Sequence, residues 1–328
     1  MRITQNSLTR SYLRNLNRNL SNLAKSNERL TSERRYNLVS ENTSDAARAY
    51  TVRDELWSNE QFLTNIRDAK GELSSAESNM MSVSDILKSV QEQVIHGITG
   101  TTSPEQREIL ASSINNLKEE VLQLANAKYG DKYLFSASNN DTPPFSIVNG
   151  ELQFNGVKVD TTNDPALFNE NNSVYLDIGL GLTMVGSNVD TKSAFKISTS
   201  GVDVLGYGST VIDGETIPNN LISMMNKIAD DLRTGNVNSV GKTMEHLKAK
   251  TKDLLISITD IGNRDNFLDH NANRIESDIL NLKAAQKKLE GVSLEEESIY
   301  NKSYDMAWMV TLQLGSKIIP PSIFDFMR

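Results

Sequence analysis

Residues 240–290 read VGKTMEHLKAKTKDLLISITDIGNRDNFLDHNANRIESDILNLKAAQKKLE. From Val240, apolar side chains recur in alternating steps of four and three: Met244, Leu247, Leu254, Ile258, Ile261, Leu268, Ala272, Ile275, Ile279, Leu282 and Leu289. Thr251, Asp265 and Gln286 fill the remaining seam positions. Such spacing holds one stripe toward a partner helix along the whole run. It predicts a helix of roughly 50 residues, about 75 Å long. Ordinary globular helices run about 11–12 residues, so this pattern points to architecture rather than catalysis.

The same period appears twice more. One series reads Phe62, Ile66, Ala69, Leu73, Ala76, Met80, Val83, Leu87, Val90, Val94, and another reads Leu13, Leu16, Leu20, Leu23, Asn27, Leu30. The opening helix, Ile3 to about Leu30, has a polar face of Asn15, Asn17, Asn19 and Asn22. Asparagine is a poor helix former, so this helix gains little stability on its own. Ser44-Asp45-Ala46-Ala47 is read as the cap of a second helix that fails at His96-Gly97. Ser103-Pro104-Glu105-Gln106 then gives a capping serine, a first-position proline and a glutamine able to close a capping box. That third helix carries Leu110, Ile114, Leu117, Val121 and Leu124 and is expected to reach Tyr129-Gly130.

The middle of the chain changes character at Thr142-Pro143-Pro144, which no helix accommodates. Phe145 and Ile147, Leu152 and Phe154, then Val157 and Val159 alternate around Asn149-Gly150 and Asn155-Gly156. Asn-Gly between short alternating runs is a strong hairpin signal. Val174 to Met184 and Phe195 to Ser198 add strand-like stretches, and Gly201, Gly206 and Gly208 mark a return loop. An inserted β domain of roughly 65 residues is compatible with independent folding.

The predicted architecture is mainly α with an inserted all-β domain, an elongated antiparallel helical bundle or coiled coil formed by N- and C-terminal arms. Its parts are an N-terminal helix (1–44), a helical-bundle arm (45–138), the β insert (139–208), a returning arm with the long helix (209–290) and a C-terminal helix (291–328). The last helix begins at the capping box Ser293-x-x-Glu296 and stops at Pro320-Pro321.

Composition narrows the function. The 328 residues are 38% hydrophobic and 6% aromatic, with a net charge of −8, which disfavours a nucleic-acid partner. Arg2, Arg10, Arg14, Arg18, Lys25, Arg29, Arg34 and Arg35 nevertheless crowd the first helix, against only Glu28 and Glu33. Glu290, Glu295, Glu296 and Glu297 are candidate acidic complements. The absence of cysteine excludes disulfides, thiolate metal sites and cysteine nucleophiles. No run is long and apolar enough to span a membrane, and the N-terminus has no apolar signal core. His96, His246 and His270 make no zinc motif and read as surface residues. Gly206-Tyr207-Gly208-Ser209-Thr210 lacks the lysine of a phosphate loop. Neither a catalytic residue nor a cofactor or metal ligand is expected.

Two amphipathic terminal helices cannot bury their apolar faces alone, which suggests ordering coupled to assembly. The expected assembly residues are Leu13, Leu16, Leu20, Leu23, Leu30, Met306, Val310, Leu314 and Ile318.

The residues resemble the flagellin family. Asn19-Leu20-Ser21-Asn22-Leu23 through Arg29-Leu30-Thr31-Ser32 is similar to the family's first helix. Asn42-Thr43-Ser44-Asp45-Ala46-Ala47 is similar to its Asp-Asp-Ala-Ala turn, with Ser44 in place of the first aspartate. Thr102 to Leu124 matches the capped third helix, and Asn263-Arg264 and Asn273-Arg274 fit the C-terminal arm. Tyr133-Leu134-Phe135-Ser136-Ala137 followed by Asp141-Thr142-Pro143-Pro144-Phe145 resembles the members that join hook to filament, with Ala137 where many relatives carry glycine. The resemblance implies a non-enzymatic structural subunit, exported unfolded through the flagellar type III channel to an extracellular position on the bacterial flagellum. Its implied partners are another hook-associated protein on the hook side, filament flagellin, further copies of itself in a ring, and a cytosolic export chaperone. The chaperone is expected to hold the final helix at Ile299, Trp308 and Leu312. The alternatives are a filament flagellin subunit or a non-flagellar coiled-coil scaffold.

Overall fold

In the computed structural model, residues 5–99, 102–137, 142–168, 173–186 and 188–318 are described. Two compact units emerge, one of Met1–Asn59 with Ser277–Arg328 and one of Glu60–Glu276. Seven α-helices carry most of the described residues: α1 Gln5–Ser32, α2 Thr43–Ile98, α3 Pro104–Ala125, α4 Gly201–Leu205, α5 Leu221–Thr234, α6 Val237–Glu290 and α7 Leu294–Ile318. The chain is mainly helical with short strands between helical arms, as its pattern predicts.

Within the second unit, α2 and α6 run antiparallel on the predicted seams. Ile66, Ala69, Leu73, Ala76, Met80, Leu87, Val90 and Val94 are buried against a stripe that includes Val240, Leu247, Leu254, Ile261, Leu268 and Ile275. Burying each such leucine or isoleucine contributes about 1.5–3 kcal/mol. The Lys70 ammonium pairs with Asp269 and Asp265, and Gln91 Nε2 donates to Thr251 Oγ1 at 3.3 Å, which fixes the register. Asn42 rather than Ser44 starts α2: its Oδ1 accepts from Asp45 N at 3.2 Å and its Nδ2 donates to the Asp45 carboxylate at 2.7 Å. The box at α3 forms as the sequence predicts, with Gln106 N donating to Ser103 Oγ and Ser103 N donating to Gln106 Oε1. That helix packs on α5, whose apolar face Leu221, Met224, Met225, Ile228 and Leu232 is buried. α5 is capped by Asn220 Oδ1 and stopped by Gly235 in the left-handed region.

The β region is a set of short antiparallel ladders rather than one sheet. β1 (Lys128–Tyr129) pairs β2 (Lys132–Tyr133), and β3 (Phe145–Val148), β4 (Glu151–Phe154) and β5 (Val157–Lys158) form a meander. β6 (Tyr175–Leu176) pairs β9 (Phe195–Lys196), β7 (Met184–Val185) pairs β8 (Asn188–Val189), and β10 (Ser209–Ile212) pairs β11 (Glu215–Pro218). Both predicted Asn-Gly turns are present, with positive φ at Asn149, Gly150, Asn155 and Gly156, as a type I′ turn requires. Phe145 and Phe154 face each other across the first ladder with ring centroids 5.0 Å apart, both buried.

Four local expectations differ from the structure. The third helix ends at Ala125 rather than near Tyr129, because Lys128–Tyr133 folds back as a hairpin about Gly130. The expected Val174–Met184 strand is reduced to two-residue pieces, since Asp177 to Gly179 forms a loop held by α2 and α6. In that loop Asn65 Nδ2 donates to Asp177 O and Asn271 Nδ2 to Ile178 O. Residues 209–218, read as the start of the returning arm, form the β10–β11 hairpin about Asp213-Gly214. His246 is also half-buried rather than a surface residue. Its Nε2 lies 2.8 Å from Asn219 Oδ1, and burial pulls its pKa below the ordinary histidine value.

Candidate assembly interface

α1 and α7 form an antiparallel pair within the first unit. Three contacts set the direction. Asn19 Nδ2 donates to Thr311 Oγ1 at 2.8 Å, Asn301 Nδ2 reaches Asn27 Oδ1 at 2.7 Å and Ser26 Oγ at 3.3 Å, and Tyr12 lies over Gly315. A Cβ on Gly315 would meet Tyr12 Oη at 2.1 Å, so only glycine leaves room for the ring as placed.

The covered positions of α1 are Tyr12, Leu16, Asn19, Leu23, Ser26 and Leu30, in steps of four and three. Those of α7 are Glu297, Asn301, Tyr304, Trp308, Thr311 and Gly315, in the same steps. Each helix therefore carries a heptad seam, but the seam is largely amide, hydroxyl, phenol and glycine. This shifts the sequence reading of α1. Leu16, Leu23 and Leu30 lie in the α1–α7 seam, half-buried, whereas Leu13 and Leu20 fall on the neighbouring helical line, each 45% exposed. Of the α7 residues singled out by sequence, Met306 is 63% exposed, and Val310 and Leu314 are exposed as well. Ile318 closes the helix, and its side chain lies outside the described residues. Ile299 and Leu312 are exposed and Trp308 is half-buried. Ile299, Met306 and Val310 follow steps of seven and four and fall on the side of α7 opposite its seam.

The pair is tied at its closed end by a short antiparallel bridge. Arg34 pairs with Gly291, Arg35 N donates to Glu290 O at 2.7 Å, and Val292 N donates to Glu33 O at 3.1 Å. Gly291 is required there, since a Cβ would come within 2.4 Å of Lys287 O. Glu290, read from the sequence as an acidic surface candidate, is buried and pairs with Arg53 instead. The hydrogen bond to this carboxylate holds the Arg53 guanidinium above its ordinary pKa. Burial, reinforced by the Glu290 and Asp45 carboxylates, raises the Tyr36 phenol. Glu297 is buried at the α7 seam, while Glu295 and Glu296 stay exposed in the first turn, where acidic side chains favour a helix N-terminus.

Among the described residues no group of three or more His, Asp and Glu side chains is placed to hold a metal ion, and no helix is long and apolar enough to cross a membrane.

Residues 3–140 match the bacterial flagellin N-terminal helical region. The chain is 25% identical over 152 residues to flagellar hook-associated protein 3 of Escherichia coli, an overlap of 46% of this chain and 48% of that protein. It is also 25% identical over 126 residues to a flagellin of Clostridium tyrobutyricum, covering 38% of this chain and 33% of the flagellin. The chain thus spans about half the length or less of these curated relatives. In three dimensions it resembles flagellar hook-associated protein 3 from Legionella pneumophila, with a TM-score of 0.55 at 15% identity over 73% of this chain and 98% of that one. That likeness shows a shared fold.

Proposed function

We propose that this chain is a structural subunit of the bacterial flagellum, an adaptor at the hook–filament junction that assembles through its terminal helices after export. The observation that carries this reading is the α1–α7 pair, which spends amides and hydroxyls on its own seam and leaves Leu13, Leu20, Met306, Val310 and Leu314 facing outward. Large apolar side chains left exposed along a helix pair offer surface for a protein contact. The likeness to hook-associated protein 3 supports the junction as its place.

In this role the chain docks on another hook-associated protein on the hook side, meets flagellin on the filament side and closes a ring with its own copies. Its extracellular position follows export through the flagellar apparatus. Before export, a cytosolic chaperone covers α7 through Ile299, Trp308 and Leu312. The similarity to a flagellin supports filament subunit as a second reading; purified chain that grows long filaments by itself would favour it.

The test is a tagged copy in a host lacking its own gene. The full chain is expected on isolated flagella, at the hook–filament boundary. A chain lacking residues 306–328 is expected to keep its α2–α6 helicity by circular dichroism and to be missing from flagella. Retention of the truncated chain at the junction refutes the role of the terminal pair, and absence of the full chain from flagella refutes the junction reading.

A further inference from the structure

One ribbon of the second unit presents a polar face. Tyr175 of β6 pairs with Lys196 of β9, and the pairing runs on past both strands: Ile197 N donates to Val174 O at 3.0 Å, and Val174 N donates to Ser198 Oγ at 3.1 Å. Successive side chains of a strand point to opposite faces. Lys196, Ser198 and Ser200 thus share one face with Ser173 and Tyr175 of the neighbouring segment, and all of them line a single cavity of about 330 Å³. Phe195 lies on the other face, buried, its ring stacked on Phe267 with centroids 6.0 Å apart. Phe168 and Tyr207, with ring centroids 5.3 Å apart, line the same cavity, and Asp203 of α4 adds a carboxylate.

The fold leaves the polar groups of this face largely unused. Among the described residues, the hydroxyls of Ser173, Tyr175, Ser200 and Tyr207 have no hydrogen-bond partner, and Ser198 Oγ accepts from Val174 N without donating. Lys196 is in no ion pair among them. A concavity that combines aromatic rings with a few convergent polar groups has the make-up of a small-molecule site, and its volume falls at the small end of that range.

We infer that this cavity binds a neutral carbohydrate, one sugar unit at a time. A hydroxyl both donates and accepts, so serine and tyrosine hydroxyls match the hydroxyls of a sugar in either sense. The C–H groups on one side of a sugar ring are weakly positive and rest against the weakly negative face of an aromatic ring, which Tyr175 and Tyr207 supply. The other ligand chemistries fit less well. An aliphatic ligand would leave the hydroxyls desolvated and unpaired. An anion would gain from Lys196 and be opposed by Asp203, whereas a neutral polyol accepts from the one and donates to the other. The whole lining lies within the second unit, so the inference does not depend on how the terminal helices assemble.

The test is a titration of the purified full chain, carrying isotope-labelled tyrosine rings, followed by NMR. The probes are glucose, galactose, mannose and N-acetylglucosamine, each raised to about 50 mM, well above the Kd on the order of 1 mM expected for so small a ligand. Inorganic phosphate is the competing probe. At least one sugar is expected to move the signals of Tyr175 and Tyr207, assigned with Tyr175→Phe and Tyr207→Phe, and phosphate is expected to leave them in place. Ser173→Ala combined with Ser200→Ala removes hydroxyls that the fold does not use. This variant is expected to keep the native melting temperature and to bind the sugar about ten-fold more weakly. Ser146→Ala, on the exposed edge of β3, is expected to bind as the native chain does. The inference is overturned if no sugar moves the two tyrosines, if phosphate binds and the sugars do not, if the double serine variant binds like the native chain, or if Ser146→Ala loses binding equally.

Discussion

Asn19 Nδ2 donates to Thr311 Oγ1 at 2.8 Å across α1 and α7, a seam position where a coiled coil ordinarily sets apolar side chains. Polar seam pairs fix register at a cost in stability. Replacing both residues by leucine is expected to stabilise the helix pair by about 1–3 kcal/mol, read as a higher melting temperature by circular dichroism. The single Asn19→Ala variant is expected to lose about 1 kcal/mol, because Thr311 Oγ1 loses the donor from α1 while keeping its own bond to Ala307 O. A double-leucine variant that melts at or below the native temperature would contradict this account of the seam.

Ala137 holds φ at 65°, in the left-handed region, at the position where the sequence resemblance points to glycine. An L side chain there costs about 1–2 kcal/mol. Ala137→Gly is therefore expected to raise the stability of the second unit by up to about 1 kcal/mol, the remainder being offset by glycine's greater freedom in the unfolded chain. Urea unfolding followed by tyrosine fluorescence measures it, with a higher midpoint expected at unchanged slope.

Gly201 opens α4 against the ring of Phe145. A Cβ there would lie 2.4 Å from the ring edge and 3.1 Å from Phe135 O. Phe145 is fully buried and has no room to retreat. Gly201→Ala is expected to cost about 1–3 kcal/mol by overpacking. Gly241→Ala, where a Cβ meets nothing within 4 Å, serves as the helical control and is expected to cost nothing. Equal melting temperatures for the two variants would refute the packing argument.

Asp160 is half-buried, its Oδ1 has no hydrogen-bond partner, and burial raises its pKa above 3.8 against the opposing pull of Ser223. A carboxyl whose folded pKa is raised favours folding while protonated, and that contribution is lost as pH rises through the folded value. Asp160→Asn is expected to raise stability at pH 7, and the gap to the native chain is expected to close toward pH 3. Melting temperatures of both proteins from pH 3 to 7 check the sign; a gap that widens in acid would reverse it.

Much of the fold was legible because its signals are periodic or stereochemically forced. The α2 and α6 seams were readable residue by residue, since an apolar stripe at steps of four and three has one buried side. Asn149-Gly150 and Asn155-Gly156 were readable because few other residues tolerate two successive positive φ values. Asp213-Gly214 carries the same signal between Val211-Ile212 and Thr216-Ile217. The register of α1 was not legible from that helix alone. Its leucines fit two adjacent helical lines, and the choice between them is made by Asn301, Thr311 and Gly315, nearly 300 residues downstream. Amides and hydroxyls that match a distant partner leave no apolar periodicity to read. The burial of Glu290 was hidden for the same reason, since its partner Arg53 lies in a different part of the sequence.

The bridge of Arg34, Arg35 and Val292 with Glu33, Glu290 and Gly291 also has a topological consequence. It fastens the first stretch of the chain to the last through main-chain groups, so substitution of the side chains flanking Gly291 leaves the fastening in place. The outer surfaces of the two end helices are thereby free to diverge and follow a changing neighbour while the clasp that presents them is inherited intact.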